Sequence, residues 1–286
     1  MSSKSLYFLA WRTLPFIPAS VINLLKKIVV RYIFKKDSKA VKRMRSNYQI
    51  FHPDIDHSKL NEMVKKGIDS YLRYWIETFT LNSWSKEKIL NSVTPINEEI
   101  LNQALAKDKG VVVAITHSAN WDLAGAYYTL KRSPIKTVAE VLEPRELFEK
   151  FVAYRESLGM EIFPLEPKTL VKLMNRAREK HIIALLADRD LTINGVKVFL
   201  AGMETSMPSG PALIAIETGA PLLTANIYYL EQGIAVDFSP EIEIPSEGTR
   251  EEKVQIVTQK IADRFTKNIG SHTHDWHMMQ KVWLEK

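Results

Sequence analysis

At 286 residues, 45% hydrophobic and 25% charged, the chain has the composition of a globular protein with a sizeable core, which excludes a fibre, a low-complexity chain and a disordered segment. The absence of cysteine excludes disulfides, thiolate metal sites and a cysteine nucleophile. The net charge of +6 is concentrated: residues 1–50 hold eleven Lys and Arg against Asp37 alone, a net +10, so the other 236 residues carry −4 and the anionic partner meets one end of the chain.

The first element, residues 5–34 (SLYFLAWRTLPFIPASVINLLKKIVVRYIF), is apolar and aromatic with charges set between the apolar residues. Arg12, Pro15, Pro18, Lys26 and Lys27 interrupt it, so it lacks the unbroken core of a secretory signal. Its longest uncharged window, Thr13 to Leu25, is thirteen residues, short of the roughly 20 needed to span a bilayer. The segment reads as interfacial, with Phe8, Trp11, Phe16, Leu24 and Leu25 dipping into an anionic membrane surface and the basic residues meeting headgroups. A basic amphipathic helix packed on the body is the other reading. No nucleic-acid motif accompanies the charge, so nucleic acid is not expected as a partner.

Residues 58–82 place Leu60, Met63, Val64, Ile68, Tyr71, Leu72, Trp75, Ile76 and Phe79 at three- and four-residue spacing, the pattern of an amphipathic helix. Residues 1–100 are therefore expected to form a mostly helical, basic, membrane-contacting region. From residue 110 the texture changes: short β-branched runs at 111–116, 135–141, 182–187, 221–229 and 233–238 alternate with helical patterns at about 119–131, 144–158, 168–180 and 208–218. Residues 101–286 thus read as an α/β core, a central sheet with helices on its faces, closed by a helix at about 249–269 and a tail. Ligands of such sheets bind at the carboxyl ends of the strands.

His117 follows the run 111–116 and so stands at a carboxyl end, with Asp122 on the first turn of the next helix. A histidine there can take a proton from a hydroxyl, and a carboxylate on its other nitrogen fixes the tautomer, so His117 is the candidate base and Asp122 its orienter. By itself H-x4-D is a weak signal. There is no G-x-S-x-G, H-E-x-x-H, P-loop or G-x-G-x-x-G, so a covalent intermediate is unsupported and direct attack by an acceptor hydroxyl is favoured. His272, His274 and His277 have a spacing that could ligate a metal, but packing by the tail is preferred and no metal is expected.

Four stretches, HSANWDLAGAY (117–127), VAEVLEPRELFEKFVAYRESLGMEI (138–162), ADRDLTINGVKV (187–198) and MPSGPALIAIETGAPLL (207–223), with the tail DWHMMQ (275–280), resemble the bacterial lipid A acyltransferase superfamily, and within it most closely the phosphatidylinositol mannoside acyltransferases of actinobacteria. The A-E-x-L-x-P and D-R-D-L blocks are the specific part. The resemblance implies a glycerolipid acyltransferase-like central mixed sheet flanked by helices. It implies transfer of a long-chain acyl group, palmitoyl, from acyl-CoA as co-substrate, with no cofactor, to a mannose hydroxyl of a membrane glycolipid, by a protein peripheral on the cytoplasmic side of the cell membrane.

On that resemblance His117 and Asp122 are catalytic, and Arg155 and Arg189 contact thioester, phosphate or acceptor. Asn120, Glu140, Glu149 and Asp188 fall in the family's blocks as further substrate-binding candidates, as does Glu143 without an assigned role; Asp188 and Asp190 could equally cap the following turn. Residues 207–223 could line the acyl groove or simply pack the core. This branch often carries acidic residues on the strand after D-R-D-L, where this chain has Lys197, Val198 and Phe199, so a glutamate relay to His117 from that strand is in doubt. The alternatives are a lipid A type enzyme using acyl carrier protein and a catalytically inactive lipid-binding protein.

Overall fold

The computed structural model describes residues 3–190 and 195–284; the last residue of the D-R-D-L block, Leu191, and the three after it lie outside the described residues. The chain opens with four helices, α1 (Ser3–Thr13), α2 (Ala19–Lys36), α3 (Lys39–Phe51) and α4 (His57–Thr80). Helix α4 has the expected amphipathic pattern, burying Leu60, Val64, Ile68, Tyr74 and Phe79, and begins where the Asp56 side chain accepts from Lys59 N. Helix α1 docks on it through Tyr7 and Trp11, whose rings meet Trp75, Phe79 and Phe151 at 4.9–6.1 Å.

Helix α2 also lies on α4, through Val30, Ile33 and Phe34 and a 2.7 Å Lys26–Asp69 ion pair, yet none of its residues is fully buried. Its outer stripe of Val21, Leu24, Leu25, Ile28 and Tyr32, at helical spacing, stands exposed, and Phe16 just before it is 86% exposed. Trp11 differs from its expected interfacial place: it is packed inward between Phe79 and Phe151.

The rest of the chain runs α5 (Lys86–Asn91), β1 (Val93–Ile96), α6 (Glu98–Leu105), β2 (Val111–Ile115), α7 (Trp121–Lys131), β3 (Lys136–Ala139), α8 (Arg145–Ser157), β4 (Glu161–Pro164), α9 (Thr169–Arg178), β5 (Ile182–Leu186), β6 (Val196–Leu200), β7 (Met203–Met207), α10 (Gly210–Thr218), β8 (Leu222–Tyr229), β9 (Ile234–Ser239) and α11 (Arg250–Ser271). Seven strands form one mixed sheet in the order β1-β9-β8-β2-β5-β3-β4, antiparallel only between β8 and β9, while β6 and β7 form a separate hairpin. Strand β1 has no periodic signal because it is four residues long with a proline, which the sheet accommodates at its edge.

Strand β2 is central and buried on both faces, which is why it reads as an unbroken VVVAI. Val112 and Ala114 face a core shared with α9, α10 and α11; Val111, Val113 and Ile115 face one built with α6, α7 and α8. No helix among the described residues is long and apolar enough to cross a membrane.

Candidate active site

Strands β2 and β5 run parallel in a register that sets Val111 beside Ile182 and Ile115 beside Leu186. Carried two residues past the sheet, the same register brings His117 beside Asp188. The contact is made twice: His117 Nδ1 lies 2.6 Å from Asp188 Oδ1, and the His117 backbone N–H donates to Asp188 Oδ2 at 3.0 Å. Trp276 Nε1 also donates to Oδ2, at 2.7 Å. Asp188 is fully buried. Burial alone would raise its pKa, but the charge and hydrogen bonds of His117 and the Trp276 donor hold it below the usual carboxylate value. A carboxylate acceptor on Nδ1 leaves the imidazole lone pair on Nε2, the arrangement of a general base.

The turn after His117 is held by the C-terminal tail. Ala119, at φ +49°, adopts a backbone conformation disfavoured for a residue with a Cβ, and its N–H donates to Asp275 O at 2.9 Å. His277 N donates to His117 O at 2.8 Å, and Ser118 bridges to Trp276. The tail, read from sequence as packing, therefore supplies Trp276 directly to the acidic partner of His117. Its only signal in the sequence was the DWHMMQ block.

Asp122 is not the carboxylate on His117. Placed on the first turn of α7, it accepts from Arg155 Nε at 2.7 Å and from Tyr74 OH at 3.3 Å. Burial opposes the Arg155 charge, but Asp122, with Tyr74 and Tyr154, more than offsets it and raises the guanidinium pKa. Asn120, a substrate-binding candidate from the sequence, is engaged within the fold. Fully buried, it caps α7 by accepting from Leu123 N and donates to Glu77 at 2.8 Å, so both ends of its amide are used.

Glu149 is on the exposed face of α8, paired with Arg145 four residues earlier. Asp188 contacts His117 and Trp276 and has no exposed surface to offer a substrate. Arg189 and Glu140 approach each other at 3.6 Å, and Arg189 borders a polar pocket with Ser206, Lys281 and Trp283. Val198 is buried in the hairpin and Phe199 points outward, so the acidic partner of His117 comes from the end of β5 and not from the following strand.

Beneath α7 lies a narrow apolar cavity of about 70 Å³. Its floor is the sheet face of Val113, Ile115, Ala184, Leu186, Ala225 and Phe238; α7 roofs it with Ala124 and Gly125, residues too small to fill the space. Among the described residues, the only charged side chains lining it are Asp122 and Arg155, which neutralise each other. Trp121 joins the two features, lining the cavity while its ring stands 5.4 Å from that of His117. Residues 207–223 line none of it. Met207 and Ile214 are fully buried and Leu213 and Ile216 pack against the same core on the opposite sheet face.

The three tail histidines diverge to separate partners. His272 stacks on Tyr228 at 3.7 Å, His274 is half-buried with its Nε2 3.9 Å from Asp275 Oδ2, and His277 is buried against Ser70. Ser70 gives its one hydroxyl proton to Asp275, so His277 Nε2–H must be the donor to Ser70 Oγ, leaving Nδ1 as an acceptor with no partner among the described residues. Burial, and secondarily His117, push the His277 pKa down to about 3.

The unfolded chain binds this proton near pH 6.5 and the folded chain does not until about 3. The stability that neutral His277 contributes is therefore full above 6.5 and is lost progressively as pH falls toward the folded value. His277→Gln, which keeps a donor for Ser70, should flatten the decline in unfolding free energy over that window in denaturant titrations; an unchanged slope would show that His277 is not held neutral.

A family model described as bacterial lipid A biosynthesis acyltransferase matches residues 2–285. The chain is similar to the phosphatidylinositol mannoside acyltransferase of Mycolicibacterium smegmatis, 38% identical over 78% of this chain and 73% of that protein. It is similar also to the protein of that name in Mycobacterium tuberculosis, 39% identical over 76% of this chain and 69% of the relative.

Proposed function

The chain belongs to the bacterial lipid A biosynthesis acyltransferase family and is an acyltransferase, and from that premise we propose that it moves a palmitoyl group from acyl-CoA to a mannose hydroxyl of a phosphatidylinositol mannoside, with His117 as general base. The observation that carries the reading is the His117–Asp188 pair beside the apolar cavity. His117 Nε2 takes the acceptor hydroxyl proton as the oxygen attacks the thioester carbonyl. The tetrahedral adduct collapses, the carbon–sulfur bond breaks, and the proton on Nε2 passes to the departing thiolate, leaving ester, thiol and neutral imidazole. Asp188, ionised throughout, stabilises the imidazolium between the two transfers. The cavity holds the acyl chain out of water, an apolar site for an apolar ligand.

The purified protein supplied with palmitoyl-CoA and a phosphatidylinositol mannoside should release thiol only when the acceptor is present, with a matching mass gain on the acceptor. Thiol release without acceptor would make it a hydrolase. Transfer from acyl carrier protein but not from CoA would transfer the assignment to the alternative donor, and no turnover with either would leave a lipid-binding protein.

The acceptor lives in a membrane, and α2 is suited to reach it. Lys27, Arg31 and Lys35 are exposed at four-residue intervals alongside the Leu24, Leu25 and Ile28 stripe. Each basic residue near an anionic surface contributes about 1 kcal/mol; Lys26 is excluded, being paired with Asp69. Vesicles containing phosphatidylinositol should therefore bind the protein in a flotation assay, and Leu24→Glu with Ile28→Glu should lower that binding by at least about tenfold without shifting the melting temperature. Equal flotation of the variant would remove α2 as the contact.

A further inference from the structure

Acyl-chain length is the property of the substrate that the cavity itself can set. We infer that Met160, lying across Gly125 of α7, is the wall residue that selects it; the inference rests on reading the cavity as the acyl site.

Helix α7 presents its cavity-lining residues turn by turn, Trp121 and Asp122 first, Ala124 and Gly125 next, then Tyr128. Gly125 is three residues beyond Asp122, about 4.5 Å further along the axis and further from His117. A Cβ built on Gly125 would stand 2.6 Å from Met160 Sδ and 3.5 Å from its Cε. No side chain larger than hydrogen fits there with the thioether where it is. The glycine is what lets Met160 close over the helix, and both residues line the cavity.

The Met160 backbone is fixed on both sides. Gly159, at φ +86°, makes the turn out of α8, Met160 N donates to Arg155 O, and Glu161 N donates to Ile135 O. Its side chain is the adjustable part, being unbranched with three rotatable bonds. The neighbouring wall residues are buried and stiffer: Ile182 on β5 and Ile135 just before β3 are β-branched, and Tyr128 is a ring carried on α7. A chain that runs past Asp122 and Arg155 thus meets one movable obstacle, and the volume of that side chain decides how many methylenes fit.

Met160→Ala removes three heavy atoms from the wall, and with partial collapse of the space should admit about two more methylenes. Met160→Phe should exclude a similar number. Gly125→Ala should act in the shortening direction by driving the thioether into the cavity, and since alanine is the better helix former it should not weaken α7. The experiment is a competition among acyl-CoA donors from lauroyl to arachidoyl, read by the masses of the acylated acceptor. A mismatch of one methylene in an apolar pocket discriminates by about tenfold or more, so the ratio of stearoyl to myristoyl product should rise at least tenfold in Met160→Ala and fall at least tenfold in the other two.

If Met160→Ala does not fold, Gly125→Ala decides alone. Variants that transfer acyl groups with the wild-type length profile would overturn the inference and leave the acyltransferase reading standing. A wild-type protein that transfers no acyl chain of any length would overturn the reading and the inference together.

Discussion

Asp188→Asn should lower acyl transfer by about 10²- to 10⁴-fold, the range that a positioned general base contributes, even though the substitution changes one buried atom. Asp188 accepts from His117 Nδ1, from the His117 backbone and from Trp276 Nε1, and as an ionised carboxylate it can accept all three. An asparagine has one acceptor oxygen. With that oxygen on the backbone and Trp276, its NH2 faces Nδ1 and donates to it, so the ring proton moves to Nε2, the atom that has to receive the acceptor's proton. The variant keeps the shape and holds the wrong tautomer.

His117→Ala should cost at least as much, and the double variant His117→Ala/Asp188→Asn little more than His117→Ala alone, because the two residues act as one unit. Single-turnover rates with bound acceptor and a thermal melt of each variant are the measurements. An Asp188→Asn rate within threefold of wild type, in a folded protein, would remove Asp188 as the partner that matters. Trp276→Phe, which keeps the packing and deletes one donor to Asp188, should fall between wild type and Asp188→Asn.

The pairing of His117 with Asp188 was available in the chain as a register, not as a motif. VVVAITH and IIALLAD are two apolar runs of equal length, each ending in a small or β-branched residue and then a chemically active one, and parallel pairing lines them up residue for residue. The H-x4-D spacing drew attention to Asp122 because that partner is local, five residues away; the true partner is 71 residues away and required knowing that β5 neighbours β2. The alternation of strand and helix was legible because hydrophobic periodicity reports burial one element at a time.

What failed were inferences that depend on which elements meet. The apolar run 207–223 was open to a groove reading, but α10 packs into the core opposite the cavity, while the cavity was foreshadowed only by the small residues Ala124 and Gly125 on α7. Asn120 had a local explanation all along: an asparagine immediately before an amphipathic run is a helix cap before it is a ligand. Trp276 gave no periodic signal because the tail is held by tertiary hydrogen bonds and not by an element of its own.

Arg155→Ala should destabilise the fold by about 3–5 kcal/mol, the usual cost of removing one partner from a buried ion pair, which is a large fraction of the roughly 5–15 kcal/mol that holds a domain together. Asp122 is almost completely buried, and without Arg155 Nε it would keep, among the described residues, only the long contact from Tyr74 OH. The lost guanidinium thus leaves a carboxylate in an apolar site, and that uncompensated charge, more than the lost attraction, is what costs stability. It follows that Asp122→Leu combined with Arg155→Met, which removes both charges and fills the space, should recover most of the loss. Denaturant unfolding of the single and double variants distinguishes the cases. A single variant destabilised by less than about 1 kcal/mol would mean that water reaches Asp122 and solvates it as it would a surface pair. If the double variant is as unstable as the single, the pair is needed for packing at the cavity wall, where both side chains line the space beside Trp121. Asp122 contacts Arg155 and Tyr74 while Asp188 holds His117 Nδ1, so a stable double variant should retain more acyl transfer than Asp188→Asn, an ordering opposite to the one that the H-x4-D spacing by itself would give.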